Sequence, residues 1–122
     1  MRISKADEIQ RRVEAFADEV VEFCEPIPVS TKTERFIKQL TAAATSVGAN
    51  YRAARRARSH AEFTAKIGVV AEEADESEYW LGRAVRHHYG DLEAAKRLYE
   101  EALELTKIFG RSSGTARARD RR

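Results

Sequence analysis

Any chemistry in this chain has to come from a few acids, three histidines and one dense patch of arginine. Glu73-x-x-Glu76 and Glu101-x-x-Glu104 have the spacing with which all-helical nucleotide pyrophosphatases hold magnesium. Two carboxylates three residues apart share a helix face, although charged helices produce such pairs by chance. Di-iron bundles need Glu-x-x-His on each of two helices, but Ala57, Ala84 and Val85 stand three positions before His60, His87 and His88. His87 and His88 fall at the end of a helix, where the dipole favours a cation. There is no glycine-rich phosphate loop and no nucleophile–base set. The single cysteine, Cys24, excludes an internal disulfide framework and a cysteine zinc site, and reads as a small buried hydrophobe. No catalytic residue, metal ligand or cofactor is assigned. The expectation is a non-enzyme, the alternative being a magnesium-dependent all-α nucleotide hydrolase using the acidic face of helix three.

The stretch "SVGANYRAARRARSHAEF", residues 46–63, places Arg52, Arg55, Arg56 and Arg58 directly after small uncharged residues. Lys38, with Lys32 and Arg35, adds positive charge along the same helix. Three readings are open: a solvated or acid-paired face, a subunit interface, or a phosphate-backbone site for RNA or DNA. Only Tyr51 is an aromatic near this face, so base stacking there has little support. Asn50 falls in the small-residue stripe with Ala43, Val47, Ala54 and Ala57, and reads as a polar lock inside a bundle. Trp80 lies off the apolar stripe, near Val69, Glu73 and Glu76, and reads with them as an oligomer interface.

Four helices must position these groups. Ser4 precedes Ile9, Val13, Phe16, Val20 and Phe23, a helix that Pro26 and Pro28 must end. Thr31 with Glu34 suggests a capping box for helix two, which carries Phe36, Leu40, Ala43 and Val47 and stops near Ala57. Ser59 with Glu62 suggests a second box. Helix three then shows Phe63, Ile67, Val70, Ala74, Leu81 and Val85 as far as Tyr89, with Gly90 as its C-terminal cap and Asp91 as the next N-cap. Helix four shows Leu92, Ala95, Tyr99, Ala102, Leu105 and Phe109, ending at Gly110. Helices two and three are expected to run about 26–29 residues, on the order of 40 Å, and the others nearer 20. Short links imply an all-α, antiparallel up-down-up-down four-helix bundle over residues 1–110.

The composition agrees: 122 residues, 43% hydrophobic and 34% charged, suit one helical domain. The net charge of +2 is uneven. Residues 111–122, "RSSGTARARDRR", hold five arginines against Asp120 and are expected to form a disordered basic tail, leaving a mildly acidic body. The start, "MRISKADEIQ", shows no apolar signal region, and no segment suits a bilayer; a cytoplasmic protein is expected.

"TAAATSVGANYRAARRA" and "EFTAKIGVVAEEADESEYWL" resemble the bacterial four-helix-bundle proteins named after open reading frames in 23S ribosomal RNA intervening sequences. Ser46, Gly48, Ala49 and Asn50 match one family pattern. Glu73, Ala74, Asp75, Glu76, Trp80 and Leu81 match another, and the likeness spans about residues 30–105. The resemblance implies a ring-like homopentamer with no catalytic residues to transfer. Relatives beside diversity-generating retroelements are accessory proteins to a reverse transcriptase. That implies as partners the chain itself and RNA, DNA or a nucleic-acid enzyme. This chain's acidic body departs from those basic relatives.

Overall fold

In the computed structural model, which describes residues 2–121, the chain forms α1 (Lys5–Cys24), α2 (Glu34–Arg55), α3 (His60–His87) and α4 (Leu92–Asp120). The described residues contain no strand. Each helix packs on its neighbour in sequence, and α1 also touches α4. Between them lie Phe16, Phe36, Leu40, Ile67, Leu81, Leu98, Leu105 and Phe109, all fully buried. Every helix therefore turns one apolar stripe inward.

Local chemistry sets the ends. Ser4 Oγ accepts from the Asp7 N–H, Ser59 Oγ from that of Glu62 and Asp91 Oδ2 from that of Ala94, so three expected N-caps are in place. The expected Thr31–Glu34 box is not formed. Thr33 is the N-cap of α2, and Glu34, immediately after it, cannot serve as the third residue of a box. The Thr33 hydroxyl instead donates to the Pro28 carbonyl at 2.7 Å and accepts from the Ser30 N–H, knotting the proline link. α2 stops at Arg55, after 22 residues, so it is shorter than its pattern suggested. At the far end of α3 the left-handed cap is His88 (φ 57°), not Gly90, which follows at φ 73°. Gly90 is required there for a second reason. A Cβ would lie 2.9 Å from Ile27 and Phe23, where the end of α1 presses on the turn.

The largest departure is at the C-terminus. Residues 111–120 are not a disordered tail: α4 continues through Gly110 to Asp120, with Ser113 and Ala116 buried. Phe109, Ser113 and Ala116 continue the helical stripe; Ser113 faces Gly68 and Ala116 meets His60 on α3, while Phe109 packs on Tyr51 of α2. Arg122 lies outside the described residues. Arg12 of α1 pairs with Glu101, and α1 begins only seven residues before Arg12. From that pair α4 runs on for 19 residues to Asp120, against the seven that α1 has before Arg12.

Candidate functional site

The arginines at the end of α2 divide by environment. Arg55 Nη2 meets Asp7 Oδ1 at 2.7 Å, an ion pair that ties α2 to α1 and draws the Asp7 carboxyl below its ordinary range. Arg52, Arg56 and Arg58 are exposed, with no acid in ion-pair distance among the described residues. Arg52 and Arg56 form the ridge between two grooves. One, of about 420 Å³, is completed by Arg55, Gln10 and Glu14. The other, of about 520 Å³, is completed by Arg58, Lys66, Glu62 and small residues of α2. Lys38 is exposed but lines neither groove, and lies on the order of 20 Å back along α2, so it is not part of the cluster.

Sequence reasoning missed what stands beside this cluster. His60, opening α3, reaches α4: its Nε2 lies 3.1 Å from the Ala116 carbonyl and 3.0 Å from Asp120 Oδ1. The clasp fixes the end of α4 against the start of α3. Arg111 and Arg119 thereby line a third groove, of about 330 Å³, with His60 and Phe63. The His60 and Phe63 rings stack with centroids 6.2 Å apart. Residues 52–66 and 111–121, apart in sequence, together bring nine cations to one end of the bundle, where Glu62, Asp120 and, from α1, Asp7 and Glu14 stand against them. The available signal was the Phe109–Ser113–Ala116 spacing; the proximity of the two segments was not readable without the α3–α4 pairing.

Asn50 does not lock the bundle. It is half-buried, and its amide donates to the Ser46 carbonyl of its own helix at 2.9 Å. Gln10 makes the cross-helix contact instead. Its Nε2 donates to the Gly48 carbonyl at 3.2 Å and to Glu14 at 2.9 Å, while its carbonyl oxygen is buried without a partner. Val13 and Glu14 of α1 lie over Gly48, at distances that would leave ordinary contact room for a Cβ there.

Trp80 is half-buried at the opposite end of α3. Its ring meets Phe36 edge-on at 6.5 Å and Tyr79 at 5.0 Å, and its Nε1 is buried without an acceptor. Val69, Glu73 and Glu76 are half-buried on the same helix, while Tyr79 is 56% exposed. Burial raises the Glu73 carboxyl above its ordinary range, and Glu76 and Glu72 add to the effect. The second acidic pair is already engaged: Arg12 grips Glu101 through two hydrogen bonds of 2.6 and 2.7 Å, and Lys107 lies 3.5 Å from Glu104. Among the described residues no three His, Cys, Asp or Glu side chains gather as a metal site. Cys24 is buried, which pushes its thiol up to about 11 and keeps it protonated. No helix among the described residues is long and apolar enough to cross a membrane.

Comparison with known proteins gives two positive findings. A family model described as 23S rRNA-intervening sequence protein matches residues 5–111. Among solved structures, the chain is similar to a protein of unknown function from the S23 ribosomal protein family of Bacteroides thetaiotaomicron VPI-5482. The two are 28% identical over 86% of this chain and 97% of that one, with a TM-score of 0.77. No curated protein matches.

Proposed function

The chain belongs to the 23S rRNA-intervening sequence protein family, and from that premise we propose a non-enzymatic scaffold that binds RNA or DNA through its basic end. The observation that carries this reading is the helical end of α4. It sets Arg111 and Arg119 in a groove with His60 and Phe63 at the start of α3, at the same end of the bundle as the arginines that close α2, so two weak basic segments can act together. Such a surface suits sequence-independent phosphate contact. The working unit is a cytoplasmic homopentamer of antiparallel up-down-up-down bundles. The pairings Arg12–Glu101 and Glu19–Arg97, in which numbers rise on α1 as they fall on α4, support the antiparallel order. Tyr79, exposed beside Trp80, gives α3 an aromatic edge for a neighbouring copy. Repeating the basic end in every copy would add avidity to individually weak contacts.

The test replaces Arg52, Arg56 and Arg58 with glutamine, leaving Arg55 because its loss would also free Asp7. Sedimentation and labelled-oligonucleotide titrations over a salt series are read together. The expected result is intact assembly several times the 13.8 kDa chain mass. Binding should weaken, with the salt slope shallower by about 0.7–0.9 for each phosphate no longer neutralised. Unchanged binding and slope would sink the reading, and dissociation of the oligomer would assign the arginines to a subunit contact.

A further inference from the structure

At the same end the four helices leave an apolar cleft of about 420 Å³, within the roughly 300–1,000 Å³ range of small-ligand sites. Tyr51, Phe63, Ile67 and Phe109 form its walls, and apart from Arg55 and Ser112 its lining is apolar. The Tyr51 and Phe109 rings lie tilted at 5.5 Å at its buried floor, which leaves Phe63 as the aromatic ring at its open edge. Phe63 is half-buried and shared with the groove of Arg111 and Arg119, so one ring separates an apolar slot from a cationic one. Arg111 and Arg119 have no acid in ion-pair distance among the described residues.

An aromatic slot flanked within one side chain's width by free guanidinium groups complements a flat apolar ring joined to a phosphate. We infer that this end of the bundle takes single-stranded nucleic acid, one unstacked base lodging against Phe63 and its flanking phosphates lying on Arg111 and Arg119. The inference rests on the basic-end reading above and adds the strand state. In a duplex the bases are stacked inside and cannot reach Phe63, so a duplex engages the arginines alone. Stacking on an aromatic ring is tolerant of base identity and indifferent to the sugar.

The experiment measures fluorescence anisotropy at fixed low salt with the full chain. Four labelled probes of equal length are used: a thymidine strand, a uridine RNA strand, an abasic strand with the same phosphates, and a DNA duplex. Both base-bearing strands should bind about tenfold or more tighter than the abasic strand or the duplex, and within a few-fold of each other. Phe63→Leu should bring the base-bearing strands down to the abasic value. Arg111→Gln with Arg119→Gln should weaken all four. Equal binding of the base-bearing, abasic and duplex probes would overturn base insertion while leaving the basic-end reading in place. Binding confined to the RNA strand would move the contact to the sugar and overturn it too. No binding of any probe would remove both readings. The abasic comparison needs no substitution, so the test survives even if Phe63→Leu melts the bundle.

Discussion

Gly90 and Gly48 show how differently one residue type is used. Gly90 combines a left-handed backbone with van der Waals pressure from Ile27 and Phe23, so alanine there is strained twice. Gly90→Ala should cost about 1–3 kcal/mol. Gly48 lies inside α2, and the nearest side-chain atom to an added Cβ would be at an ordinary 3.7 Å. Gly48→Ala should be neutral or stabilising by up to about 1 kcal/mol through helix propensity. Thermal melts of the two variants check the contrast; equal losses would contradict it. At this scale the sequence was readable where the chemistry is local. Ser4, Ser59 and Asp91 cap the helices they precede because a cap needs only a hydroxyl or carboxylate and the next turn. The roles of His88 and Gln10 depend on how the end of α3 closes and on which carbonyl of α2 faces α1, neither of which periodicity encodes.

The elements themselves were legible from their apolar stripes, because a repeat near 3.6 residues dictates both helix and buried face. Their ends were less so. Gly110 reads as a stop, yet glycine within a helix costs only about 1 kcal/mol against alanine, and the buried Ser113 and Ala116 hold α4 together beyond it. At the start of α2 the misplaced cap offers a sharp comparison. Ser59→Ala should lower stability by about 1 kcal/mol, the usual cost of removing an N-cap. Thr33→Ala should cost about 1–3 kcal/mol, because it strips a buried hydroxyl from two backbone partners. Thr31→Ala, at an exposed turn position, should change little. Denaturant midpoints rank the three; a loss at Thr31 comparable with that at Thr33 would restore the box read from sequence.

Across the whole molecule, composition revealed an acidic body and a basic end of the chain, but not that folding would bring that end of the chain to the same end of the bundle as the α2 arginines. The arginine cluster was legible as a patch. Its continuation onto α4 was not, because it depends on His60 meeting Ala116 across 56 residues. The order of the packing has a further consequence, one of time. α2, α3 and α4 are joined by broad seams between neighbours in sequence, and α1 meets α4 across the smallest seam, with Arg12–Glu101 bridging 89 residues. Chains dominated by local pairings fold in microseconds to milliseconds, so most of this bundle can assemble before its two ends find each other. α1 should then be the last helix to dock and the first to loosen. Native-state hydrogen exchange would show its amides opening at a lower free energy than those of α3, while uniform protection across the four helices would mean that the bundle opens only as a unit.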